Sequence, residues 1–180
     1  IKFKKNIRNK NTINFIIGGP NKYFKFQQQT QEKILNEIKF LSNKFKINVI
    51  PSRRTPRGLI EELSKIDNEN VITFNDLFNP RKYGELLSEG NLQVVTWDSI
   101  SMISEAISSE AGTFLFKFEE KFCPKRYLKF FDKITKLNLA KFYNQNLKPY
   151  EISIDEYNKN LKTKILNKIQ SNLRFRSNNA

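Results

Sequence analysis

Short unbroken apolar runs alternate along this chain with stretches whose apolar residues recur every three or four positions. Thr12–Ile17 (TINFII) runs into Gly18-Gly19-Pro20, which predicts a buried strand followed by a tight turn. Gln27–Lys44 carries Ile34, Leu35, Ile38 and Leu41 at helical spacing. Ile47–Ile50 predicts a second strand, leading into Pro51-Ser52-Arg53-Arg54-Thr55-Pro56. Thr55 as N-cap and Pro56 as first helical residue predict a helix through Leu59, Ile60 and Leu63 to Ile66. Val71–Phe74 predicts a third strand, Asn79-Pro80 a turn, and Tyr83–Glu89 a short helix stopped by Gly90. Leu92–Thr96 predicts a fourth strand, Asp98–Ser101 a polar turn and Ile100–Ser108 a helix. Thr113–Phe118 predicts a fifth strand. Lys125–Leu137 predicts a helix with Tyr127, Leu128, Phe131, Ile134 and Leu137 inward, and Leu139–Tyr143 a short sixth strand. Asp155–Leu173 predicts a long terminal helix with Tyr157, Leu161, Ile165, Ile169 and Leu173 on one stripe.

Apolar strands alternating with amphipathic helices predict a parallel sheet covered on both faces. Right-handed crossovers then give an α/β, doubly wound, Rossmann-like domain with a mostly parallel sheet of five to six strands. Residues 1–11 are basic and polar and read as a linker or frayed entry, and 12–180 as one domain. The first residue is Ile1 and the only methionine is Met102, so the expectation is a piece of a longer protein.

Composition removes several kinds of chemistry. There is no histidine, which excludes Ser-His-Asp catalysis and histidine bases. With a single cysteine, Cys123, neither an internal disulfide nor a zinc site is expected. No apolar run reaches the roughly 18–20 residues of a membrane span. The net charge of +14 invites a nucleic-acid reading, but its distribution argues against one. Residues 1–50, 51–112 and 113–180 carry +9, −4 and +9, so the middle, where the unusual motifs lie, is acidic. Lysine outnumbers arginine 24 to 8, and Asn, Ile and Phe abound, as A/T-rich codons would give. An anionic membrane surface is a second use for the basic flanks, so the expectation is a cytoplasmic protein with peripheral membrane contact as an option.

In a parallel sheet, ligands bind beyond the carboxyl ends of the strands. Three loops there are unusual. Gly18 and Gly19 permit positive φ and close backbone approach to a phosphate, or simply a tight turn. Ser52, Arg53 and Arg54 lie between a strand end and a helix start, where paired guanidiniums neutralise a diphosphate or stand as a solvated surface pair. In Asp98-Ser99-Ile100-Ser101-Met102-Ile103-Ser104-Glu105-Ala106, Ser99 and Ser101 sit at a helix N-terminus, where hydroxyls and free N–H groups meet an anion. Glu105 lies one turn deeper, where a carboxylate accepts two sugar hydroxyls. Ser101 and Glu105 also stand near capping-box spacing, a role compatible with binding.

SRRTP at Ser52–Pro56, NP at Asn79-Pro80 and DSxSMxSEA at Asp98–Ala106 resemble the mitochondrial-fission (elongated-mitochondria) protein family, whose bacterial members are labelled predicted nucleoside-diphosphate-sugar epimerases. The resemblance runs from Thr12 to Tyr150. Where that family usually has a Gly-x-Pro turn after the serine-rich helix, this chain has Ser109-Glu110-Ala111-Gly112-Thr113. The family resembles the C-terminal half of GT-B glycosyltransferases. The resemblance implies that Asp98, Ser99, Ser101 and Met102 surround the diphosphate of a nucleotide sugar, with backbone groups of Ser99, Ser101 and Met102 on phosphate and Glu105 on the ribose. It implies a metal-independent transferase with no cofactor, using a nucleoside-diphosphate sugar as substrate and packing against an N-terminal α/β acceptor domain outside this chain. Plant members are described as adaptors in organelle division, so the alternative expectation is a non-catalytic adaptor binding a partner protein or membrane surface.

Overall fold

The computed structural model describes residues 9–74, 80–152 and 154. Six strands and five helices alternate through them: β1 Asn9–Ile17, α1 Gln28–Ser42, β2 Lys46–Pro51, α2 Arg57–Ser64, β3 Val71–Thr73, α3 Pro80–Glu89, β4 Gly90–Thr96, α4 Ile100–Ser108, β5 Gly112–Phe116, α5 Lys125–Lys136 and β6 Lys141–Phe142. Every strand pair is parallel, and the order is β3-β2-β1-β4-β5-β6. This is the doubly wound arrangement the alternation predicts. The chain winds outward from β1 to β3, crosses back, and winds the other way from β4 to β6. The switch point lies between β1 and β4, where loops on the carboxyl edge diverge and leave a crevice.

Most elements fall within a few residues of their expected bounds. β1 begins at Asn9, so three residues read as linker belong to the sheet, and β5 stops at Phe116, two residues early. Residues 1–8, Asn79 of the NP turn and the expected terminal helix at 155–173 lie outside the described residues. Two expectations about α5 and α2 are corrected. In α5 the buried stripe is Tyr127, Phe131 and Ile134, while Leu128 is 53% exposed and Leu137 is exposed too. Position 128 sits about 100° around the helix from 127, which takes it off a stripe one side chain wide. In α2 the first helical residue is Arg57, and Pro56 precedes it with no side-chain cap. Thr55 does not cap, because its hydroxyl is spent elsewhere, as described below.

The two sheet faces differ in chemistry. On one, Phe15 meets Phe116 edge-on at 5.5 Å, and Lys33 of α1 lies over the Phe116 ring. On the other, under α3, a row of buried amides crosses three strands. Asn48 Nδ2 donates to Asn14 Oδ1 (3.0 Å), and Asn14 Nδ2 donates to Gln93 Oε1 (3.1 Å) and to Leu86 O in α3 (2.7 Å). Gln93 Nε2 then donates to Leu87 O (2.9 Å) and Ser109 Oγ (3.3 Å). All three side chains are fully or almost fully buried, and each is paired, which a core requires of its polar groups. Gly90 opens β4 directly after α3, and a Cβ there would press on the Asn14 amide.

An aromatic cluster closes the carboxyl ends of β4 and β5. Trp97 stacks on Phe131 at 5.4 Å and meets Phe24 edge-on at 5.4 Å, and Phe24 also touches Phe118 and Tyr127. The Trp97 indole N–H donates to Phe118 O (3.0 Å). What stays open on this edge lies over β1 and β2.

Candidate functional site

The loops after β1, β2 and β4 meet at the switch point and are bolted to one another. Arg54 does most of this. Its Nη1 donates to Gly19 O (2.6 Å) and its Nη2 to Asp98 Oδ2 (2.8 Å), so one guanidinium spans all three loops. Asp98 is buried and also accepts from the Gly19 N–H (3.1 Å), while its backbone carbonyl accepts from Asn21 Nδ2 (3.1 Å). Asp98 Oδ1 has no hydrogen-bond partner among the described residues. Thr55 supplies a second bolt: its hydroxyl shares its proton between the carbonyls of Ile17 (2.8 Å) and Gly18 (2.7 Å) and accepts from the Ser52 N–H (2.8 Å). This is why Thr55 is conformationally committed and leaves α2 uncapped.

Gly18 and Gly19 take a role different from the expected phosphate cradle. Neither has positive φ. The Gly18 N–H is taken by Thr96 Oγ1 (2.7 Å) and the Gly19 N–H by Asp98. A Cβ on Gly18 would overlap the Asp98 carboxylate, and one on Gly19 would overlap the Arg54 backbone carbonyl. The close approach these glycines allow is therefore of loop to loop.

Beside the bolted loops lies a cavity of about 720 Å³. Its floor is apolar, formed by Ile16 and Ile50, which are register partners at the ends of β1 and β2, together with Ile60 and Met102. Ser52, Arg53 and Arg57 stand on the side of the β2–α2 connection, and Glu105 and Tyr83 on the side of α4 and α3. The Tyr83 hydroxyl donates to Glu105 Oε2 (3.0 Å). Burial first, and then the Glu105 carboxylate beside it, push the Tyr83 phenol well above its ordinary range, so it remains a donor. A volume of this size over an apolar floor, with few polar groups on facing walls, suits a small organic ligand. A cationic wall opposite a carboxylate suits one with an anionic end and a hydroxyl-bearing end.

Of the residues singled out in the sequence, Ser52, Arg53, Met102 and Glu105 line this cavity. Gly18, Gly19, Arg54 and Asp98 form the interlock next to it. Ser99 caps α4, accepting from the Met102 N–H (3.5 Å), so the cap lies two residues before Ser101, and Glu105 is engaged by Tyr83 instead. Ser101 is exposed and is not part of the cavity lining. In place of the Gly-x-Pro turn, Glu110 takes the left-handed conformation (φ 62°) and β5 follows two residues later. Sequence reasoning passed over Arg57 and Tyr83. Arg57 had a signal, as the third arginine in five residues; Tyr83, one of six tyrosines, had none.

Among the described residues, no helix is long and apolar enough to cross a membrane. The family model for mitochondrial fission ELM1 matches residues 2–166. An uncharacterized protein of Rickettsia prowazekii (strain Madrid E), RP120, is 28% identical over 142 residues. That match takes in 73% of this chain and 38% of the relative, so the chain spans about two fifths of the relative's length. No solved structure matches the chain.

Proposed function

The chain belongs to the mitochondrial fission ELM1 family, and on that premise we propose that it is the nucleotide-sugar-binding half of a GT-B-like glycosyltransferase. The observation that carries this reading is the cavity at the carboxyl edge of β1 and β2, with arginines on one wall and the Glu105–Tyr83 pair on the other. The nucleobase rests on Ile16, Ile50, Ile60 and Met102. The ribose hydroxyls donate to Glu105, whose Oε2 is already oriented by Tyr83. The diphosphate lies toward Ser52 and Arg53, where guanidinium charge stabilises it as a leaving group. Gly18, Gly19, Arg54 and Asp98 act behind this surface, fixing the three loops so that Arg53 and Glu105 keep their separation. The acceptor-binding half and the base that activates the acceptor belong to polypeptide beyond these residues, for which the greater length of the Rickettsia relative leaves room.

The test is calorimetric titration of the full-length protein with ADP, GDP and UDP and with their 2′,3′-dideoxy counterparts. Glu105→Ala should weaken the best-bound ribonucleotide by about 1–3 kcal/mol, the scale of a hydrogen bond to a charged group. The dideoxy ligand should lose less, having no hydroxyls to offer. Equal losses for both would remove Glu105 from the ribose. No binding of any of the three diphosphates to the unsubstituted protein would move the reading to a non-catalytic adaptor.

A further inference from the structure

Three arginines lie within five residues at the end of β2, and the structure divides their labour. Arg54 is withdrawn: both terminal nitrogens of its guanidinium are occupied, by Gly19 O and by the buried Asp98 carboxylate. Its charge is already matched by the Asp98 carboxylate within the loop bundle. Arg53 and Arg57 are exposed, line the same cavity wall, and make no ion pair or hydrogen bond among the described residues. They flank Thr55 and Pro56, and Thr55 is tied to the β1 loop through its hydroxyl, so the backbone that carries both arginines is anchored between them. Two forks carried on one anchored segment match a two-phosphate anion, since each guanidinium can present paired donors to one phosphate. Arg57 is also the first residue of α2, where the helix dipole disfavours a cation. A cation at that position gains nothing for the helix.

We propose that Arg57, together with Arg53 and not Arg54, is the second cation of the diphosphate subsite in this cavity. The inference rests on the nucleotide-sugar reading for the identity of the ligand, but the anion subsite is testable without it. The probes are inorganic pyrophosphate and the best-bound of ADP, GDP and UDP with its parent nucleoside, titrated calorimetrically into the full-length protein and its Arg57→Gln, Arg53→Gln and Arg54→Gln variants. Melting temperature is recorded for each.

Arg57→Gln and Arg53→Gln should each weaken diphosphate and pyrophosphate binding about tenfold or more, leave nucleoside binding unchanged and melt normally. Arg54→Gln should show the opposite pattern, a lower melting temperature with the smaller loss of affinity measured on the folded fraction. If Arg57→Gln binds the diphosphate like the unsubstituted protein while Arg53→Gln does not, the inference falls and the nucleotide reading stands. Loss of pyrophosphate binding in Arg57→Gln without any preference for nucleotides in the unsubstituted protein supports the subsite and removes the nucleotide. Failure of the unsubstituted protein to bind either anion overturns both.

Discussion

Removing the Asp98 carboxylate should unbolt three loops at once, and the structure gives the size of the effect. In Asp98→Ala the Gly19 N–H, which is buried, loses its acceptor, a cost of about 1–3 kcal/mol for an unsatisfied buried donor. Arg54 loses its ion pair as well, but its side chain is 37% exposed and turns toward water, so that part is held to the surface range of about 0–1 kcal/mol. The total is about 1–4 kcal/mol, or a fall in melting temperature of roughly 2–16 °C for a chain of this size. Asp98→Asn keeps an oxygen for Gly19 and Arg54 and should cost about 1 kcal/mol or less. The assay is urea unfolding followed by tryptophan fluorescence. The only tryptophan, Trp97, adjoins Asp98 in the chain, is buried, and stacks on Phe131, so its emission reports on this corner directly. Equal destabilisation by the alanine and asparagine substitutions, or none by either, would refute the view that Asp98 acts by accepting hydrogen bonds from two other loops.

The amide row makes a second prediction. Asn14→Leu should cost about 3 kcal/mol or more, because Asn48 Nδ2, Gln93 Oε1 and Leu86 O all lose their partner, whereas Asn14→Leu with Asn48→Leu should cost less than the sum. A double-mutant cycle with coupling near zero would exclude a working row. Tyr150 gives a third, in alkali. Its hydroxyl donates to Thr113 O (2.6 Å) and accepts from the Thr113 N–H (3.1 Å), and burial pushes the phenol from 10.0 up to about 12. A folded-state value above the unfolded one stabilises the fold fully below pH 10 and progressively less toward pH 12. The stability difference between the protein and Tyr150→Phe, measured by denaturant titration, should therefore shrink across that window; a constant difference would contradict the assignment.

The parallel sheet was legible because its strands are short apolar runs separated by helical periods, and periodicity survives without knowledge of partners. Tertiary pairing is what escaped. Asn14, Asn48 and Gln93 read in sequence as polar interruptions of apolar strands, and only the register of β2, β1 and β4 turns them into partners for one another. The same holds at the carboxyl edge. Arg54 and Gly19 were visible as a cation and a small residue at strand ends, which is also what a phosphate loop looks like. Asp98, met 44 residues after Arg54, decides between the two, and its burial is not written in any local pattern. Arg53 and Arg54 are adjacent and chemically alike, yet they point to different tasks because one faces the loop bundle and the other the cavity.

The position of β1 at the centre of the sheet carries a consequence for synthesis. When β1, α1 and β2 have left the ribosome, Asn14 has met Asn48 but not Gln93, its partner 79 residues further on. Until β4 is made, one side of β1 is an open edge with a half-paired amide at its middle. The first half of this domain therefore waits, unable to close, for a strand that arrives seconds later at ordinary rates of translation of about 5–20 residues per second. Chaperone binding during that interval should be concentrated on nascent chains that end between β3 and β4.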